Sequence, residues 1–273
     1  MRRTLGRIQE SATVTEAEKP TDEWQGIHLT RSMRLRLSGL TFTLKDDGTI
    51  ESSDVEVDLS IDMYVYWLEI AFERLAAAEA AHAHLLDTWT KDDEASAAAL
   101  ERDCRESMQC IVASAIAIDA FYAMVGDHVK ILERTREAWR RNRTPRPKQV
   151  AEVLRRAFEI GPKSFAQIRH HIVEVFAWRD KAVHPAAGYD QPVRYDELHV
   201  ATEWRLVAFR AENAKNALAV ALSLIAQLLE RPRPKHASLT EHCAGSVQFV
   251  APLVEQWEAK YGQLYERGQR GSA

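Results

Sequence analysis

Between Cys110 and Val125 the chain reads Cys-Ile-Val-Ala-Ser-Ala-Ile-Ala-Ile-Asp-Ala-Phe-Tyr-Ala-Met-Val, an apolar, alanine-rich run with neither Gly nor Pro. It is too long for a strand, and it lies at the centre of a helical segment spanning about Lys91 to Val129. A helix that is apolar on most of its surface must be packed among others. The flanking segments supply them. Asp62 to about Thr90 places Tyr64, Trp67, Leu68, Phe72 and Leu75 at helical spacing, an aromatic stripe that reads as core or dimer surface. Ser164 to Val183 and Tyr195 to Leu229 are further periodic stretches, and Ser238 to about Tyr265 is the last. Lys148 to Glu159 reads as a shorter helix ended by Gly161-Pro162, and Ile131 to Arg141 as a continuation of the apolar helix. Long helices with short connections predict an up-and-down helical bundle.

The N-terminal part differs. Residues 1–30 are polar with little periodicity and read as a loosely docked arm. Residues 33–44 alternate, Lys45-Asp-Asp-Gly-Thr49 is a hairpin turn signal, and Val55-Glu-Val-Asp-Leu-Ser60 alternates again, so residues 31–61 are expected to form a small β-hairpin. The organisation expected is therefore an arm (1–30), a hairpin (31–61), a helical bundle (62–235), and a C-terminal helix with a frayed tail (236–273).

At 273 residues, 46% hydrophobic and 28% charged, the chain has the composition of a soluble globular protein with a substantial core. No uninterrupted apolar run reaches the roughly eighteen residues of a membrane span; the longest candidate, Ala214 to Leu229, is broken by Lys215, Asn216 and Gln227. The first ten residues have no apolar core after their charges, unlike a secretory signal. Cys104, Cys110 and Cys243 are odd in number and lack metal-ligand spacing, which fits a reducing cytoplasm. His82 and His84 point to different helix faces and lack supporting ligands for zinc. There is no Walker loop, dinucleotide fingerprint, nucleophile elbow or His-Glu-x-x-His, and neither a cofactor nor a metal is expected.

The net charge of −4 is unevenly spread: from Ile131 to Arg169 eleven Lys/Arg stand against four Glu. Arg141, Arg143, Arg146 and Lys148 cluster around the Asn142-Arg-Thr-Pro-Arg-Pro147 loop. Such a patch suits a phosphate backbone, or it is a solvated helix–loop–helix. It directly precedes the segment with the sharpest chemical potential, Phe176-Ala-Trp-Arg-Asp-Lys-Ala-Val-His-Pro185. Arginine can grip a phosphate and histidine can move a proton near neutral pH. The spacing itself is unspecific. With 26 arginines and 10 histidines, chance supplies about one Arg-x4-His match, and three occur: Arg179/His184, Arg194/His199 and Arg231/His236. Arg231/His236 lies in a proline-broken stretch, and Arg194/His199 reads as a polar helical face. Only Arg179/His184 closes a long apolar-periodic helix and meets a proline stop.

Three segments together resemble the HEPN superfamily (higher eukaryote and prokaryote nucleotide-binding domains). Ala115-Ile-Ala-Ile-Asp-Ala-Phe-Tyr122 is similar to that family's second helix. Trp178-Arg-Asp-Lys-Ala-Val-His-Pro185 is similar to its Arg-x4–6-His signature, with the polar residue after the arginine present as Asp180. The long Ala/Leu-rich segment from Leu206 to Leu229 matches the helix that follows. The resemblance covers about residues 62–232 and implies a homodimer in which two signatures face each other across a cleft and cut RNA without a metal. On this chain it implies that Arg179 holds the scissile phosphate and that His184 acts as general base or acid, giving a 2′,3′-cyclic phosphate and a 5′-OH. It also implies a role in toxin–antitoxin or antiphage defence, with an antitoxin or trigger protein as partner. The competing reading is a non-catalytic helical dimer that binds RNA or protein.

The local physics bears on the geometry. Arg179 and His184 are about 140° apart on an ideal helix, so His184 must leave the helix to approach Arg179. Pro185 disfavours helical backbone at His184 and permits this. Asp180 is placed to orient the His184 ring or to pair with a neighbouring basic residue. His171, about 80° around from Arg179, is a candidate at the same cleft edge. Asp119, inside the apolar helix, is expected to bond a neighbouring helix or face the cleft.

Overall fold

The computed structural model describes residues 29–39, 41–53, 56–89, 93–184, 188–230 and 236–265. The polar arm apart from residues 29–30, Pro185, Arg231 and the tail beyond Tyr265 lie outside them. A two-stranded antiparallel ribbon comes first. β1 (Met33–Ser38) pairs with β4 (Glu56–Ile61), and β2 (Phe42–Leu44) pairs with β3 (Ile50–Ser52). The ribbon closes at the expected turn: Lys45 N–H donates to the Thr49 carbonyl at 2.8 Å, and Gly48 N–H to the Lys45 carbonyl at 2.9 Å. Gly48 has φ +82, a conformation that favours glycine because it has no Cβ.

Helices follow, eight among the described residues. α1 (Met63–Thr88) and α2 (Asp93–His128) form a long hairpin, the most extensive pairing in the molecule. α3 (Glu133–Arg141), α4 (Arg146–Ala157) and α5 (Pro162–Val183) come next. α6 (Trp204–Ala208), α7 (Ala211–Glu230) and α8 (Ala237–Tyr261) complete the order. α2 is the hub, touching α1, α4, α5, α6, α7 and α8. Its small residues Ala113, Ser114, Ala115 and Ala117 are buried, which lets neighbouring backbones approach, and Phe121 fills the space between Tyr64 of α1 and Phe158 beyond α4. The aromatic stripe of α1 is core: Tyr64, Leu68, Phe72 and Leu75 are buried there. α8 adds Cys243, Val250, Val254 and Trp257 to the same core. α2 also contains an 18-residue stretch apolar enough to cross a membrane by length and composition. Counting uninterrupted apolar residues missed it because Asp119 interrupts the run. Half of that stretch is buried among the other helices.

Three segments depart from expectation. Ile131–Arg141 does not continue α2. The chain is extended between them because Val129 and Ile131 both insert into the core, and residues two apart share a side only in extended backbone. α4 starts at Arg146 rather than Lys148, with Pro147 tolerated in its first turn. The stretch from Tyr195 is not one helix. β5 (Val193–Tyr195) pairs with β6 (Val200–Thr202) around a 3₁₀ turn at Asp196–Leu198, and Phe209-Arg210 then separates α6 from α7. Tyr195 and Leu198 are buried together with Leu85, Ala99 and Leu100 in a second, smaller cluster. Their spacing of three mimics a helix, but a tight hairpin delivers both. Arg194 is therefore a strand residue and His199 sits at φ +53, so this Arg/His pair is not a helical face.

Candidate functional site

α5 begins after Gly161 with Pro162 at its first position, where the missing N–H costs nothing. Ile172, Val175 and Phe176 bury one face. The helix ends at Val183, and His184 leaves it with φ −127 and ψ 62. The His184 backbone N–H still donates to the Asp180 carbonyl at 2.9 Å, closing the last turn, while its side chain is exposed. Arg179 is half-buried. Its guanidinium lies 4.9 Å from the Phe176 ring centre, and both Nε and Nη2 donate to Asp180 Oδ1 at 3.0 and 2.6 Å. Asp180 thus orients Arg179, not the His184 ring. Lys181 lies 4.5 Å from the Trp178 ring and 5.4 Å from that of Trp204. The end of α5 therefore presents an oriented guanidinium, an ammonium held over indoles, and an exposed imidazole within two turns.

Within the basic segment, α4 packs against α5. Arg146 does not project freely: its Nε donates to Asp119 Oδ1 at 2.8 Å, and its guanidinium lies 4.2 Å from the Tyr122 ring. Asp119 is thereby explained as an interhelical bond. Arg143 (φ +46) lines a cleft of about 680 Å³ between α2, α3 and α4, together with Arg136, Arg140, Trp139 and Tyr122. Arg141 ends α3, Lys148 lies in the first turn of α4, and both are exposed. His171 is exposed and lines a separate groove of about 400 Å³ between α5 and α7, whose walls include neither Arg179 nor His184.

Two polar clusters had no signal in the sequence. His82, set aside as a zinc ligand, bridges two carboxylates: its Nδ1 is 2.8 Å from Asp103 Oδ2 and its Nε2 2.9 Å from Glu197 Oε2. The hydrogen bond to Asp103 outweighs burial and raises the imidazole above its ordinary range, with the charges of Asp103 and Glu197 adding to this. The second cluster centres on Asp62, at the start of α1. Its carboxylate takes His242 Nε2 at 2.9 Å, Ser246 Oγ at 3.0 Å and Arg34 Nη2 at 3.2 Å. Burial alone would raise this carboxyl, but His242, Arg34 and Ser246 more than offset it and leave it below the ordinary carboxylate range. Asp62 and His242 are 180 positions apart, a separation at which no local pattern links them.

Comparison of the chain with protein-family models, curated protein sequences and solved structures finds no match. The functional reading therefore rests on the residues and their geometry.

Proposed function

We propose that the chain is a metal-independent endoribonuclease acting as a cytoplasmic homodimer of HEPN type, with Arg179 and His184 as its reacting pair. The observation that carries this reading is the end of α5, where His184 leaves the helix exposed and Arg179 is held in one orientation by Asp180 and Phe176. An oriented, partly desolvated guanidinium binds a phosphate at lower entropic cost than a free one. A histidine with an accessible ring can reach a 2′-OH or a leaving 5′-oxygen. One imidazole does only one of these at a time, so two copies of His184 across a dimer supply both. The exposed Arg141, Arg143 and Lys148 suit the flanking phosphates. A role in toxin–antitoxin or antiphage defence, under an antitoxin or trigger protein, belongs to the same proposal.

A second reading is favoured by one contact. Arg179 already has a counter-charge in Asp180, which takes two of its N–H donors without any ligand, as suits a helical dimer that binds RNA or protein and does not cut. The two separate in a cleavage assay in EDTA with end-group analysis. The nuclease reading expects a 2′,3′-cyclic phosphate product and a rate about 10²–10⁴ lower in His184→Ala. Equal cleavage by both proteins removes His184 from the mechanism. RNA binding without cleavage by the folded wild type establishes the binding module.

A further inference from the structure

A second cleft, about 1170 Å³, lies between the β-ribbon, the C-terminal end of α2 and the start of α8. Four side chains in its wall are joined end to end. Ser238 Oγ is 3.1 Å from His128 Nδ1, His128 Nε2 is 3.1 Å from His242 Nδ1, and His242 Nε2 is 2.9 Å from Asp62 Oδ1. With both imidazoles neutral, a single placement of protons satisfies every contact. Ser238 donates to His128, His128 donates through Nε2 to His242, and His242 donates through Nε2 to the carboxylate. The chain of donors runs one way, from an exposed hydroxyl to a carboxylate whose side chain is 2% exposed.

A contact that merely pins the ribbon and α8 to the bundle needs only Arg34, Asp62, His242 and Ser246. It has no use for His128 between His242 and the cleft, or for a serine hydroxyl at its mouth. Burial first, then the neighbouring His242, hold His128 below the ordinary imidazole range, which favours its neutral, proton-accepting form. Ser238 also stands in the first turn of the 25-residue α8, where backbone N–H groups without helical partners favour a developing negative charge.

We propose that this chain of residues is a second active site, in which Ser238 is the nucleophile and His128 the general base for hydrolysis of an ester with an apolar acyl group. The acyl group is assigned from the apolar part of the cleft wall, Leu59, Met63, Ala120 and Met124. The site shares no residue with the Arg179/His184 reading and stands or falls independently of it. In the forward step Ser238 Oγ bonds to the ester carbonyl carbon and its proton passes to His128 Nδ1. The Nε2 proton of His128 moves to His242 Nδ1, and the positive charge comes to rest beside Asp62. Collapse of the tetrahedral adduct breaks the bond to the alcohol, which takes the proton back from His128 as the relay reverses. Water then attacks the acyl-serine by the same route, releasing the acid and restoring Ser238. His242 and Asp62 are positioning residues. The charged and titratable groups around His128 are Asp127 on α2, His242 and Glu241 on α8, Arg34 on β1, and Asp62.

The test treats the full chain with a fluorophosphonate probe, maps the labelled peptide, and follows p-nitrophenyl acetate hydrolysis in parallel. The label is expected on Ser238, absent in Ser238→Ala, and about 100-fold slower in His128→Gln. Labelling in His184→Ala is expected to match wild type. Ser238 is exposed on the first turn, so Ala is accommodated there, and circular dichroism verifies the fold of each variant. His242→Gln is expected to move the midpoint of labelling against pH, and an unchanged midpoint would take His242 out of the relay. A folded wild type that takes no label, a label on another residue, or equal rates in wild type and His128→Gln would overturn the proposal.

Discussion

At the scale of single residues, the clearest consequences concern buried titratable groups. His82 joins α1, α2 and the 3₁₀ turn through Asp103 and Glu197. Its folded pKa is raised, so its contribution to stability is complete below the unfolded value of about 6.5 and is lost as pH rises through the folded value. The melting temperature of wild type relative to His82→Gln is therefore expected to fall as pH is raised from 5.5 to 9. His82→Ala leaves the Asp103 carboxylate, 1% exposed, without its counter-charge and is expected to cost about 3–5 kcal/mol in urea unfolding. The cysteines give a second test. Burial pushes the thiols up, to about 11 for Cys104 and about 12 for Cys110 and Cys243. At pH 8 the thiolate is scarce and shielded, so iodoacetamide is expected to modify none of the three in the native chain and all three in urea. Native labelling counted by mass spectrometry would contradict this.

At the scale of elements, α2 is the helix that touches the most others, and Phe121 is its most sensitive point. The ring is fully buried, edge-on to Tyr64 with centroids 5.2 Å apart and stacked with Phe158 at 6.2 Å. Phe121→Ala removes both contacts from a site enclosed by three segments, and is expected to destabilise by about 3–5 kcal/mol in denaturant titration. The β-ribbon has a different weakness. Gly48 at φ +82 sets its turn, and a β-branched residue there is strained although nothing lies within 4 Å of a Cβ. Gly48→Val is expected to cost about 1–2 kcal/mol of turn stability. β2 and β3 are exposed, so this is expected as faster amide exchange in residues 42–52 with little change in the global melting temperature.

At the scale of the whole molecule, the ribonuclease proposal makes activity a property of two chains. Specific activity is expected to fall on dilution with the same midpoint as dimer dissociation in sedimentation. A monomer with full activity would exclude a shared site. Large apolar side chains are exposed at many places among the described residues. Val183 is 50% exposed at the end of α5, and Leu35, Leu37, Val57 and Leu59 face outward as cross-strand neighbours on the ribbon. Patches of this kind are characteristic of surfaces that meet other molecules.

The sequence by itself determined what depends on neighbours within a turn or two. The apolar run of α2, the extent of α5 with its break at His184, and the Asp-Gly turn of the ribbon were legible because periodicity, proline and glycine act locally. Local pattern also misled where two geometries share it: Tyr195 and Leu198 are three apart as on a helix, yet a hairpin carries them. The tertiary structure alone decided the partners. It gave Asp119 to Arg146, set His82 between two carboxylates, and joined Asp62, His242, His128 and Ser238 from elements up to 180 positions apart. Such contacts follow from which helix faces meet, and that is set by the packing of the entire core and not by any segment's own composition.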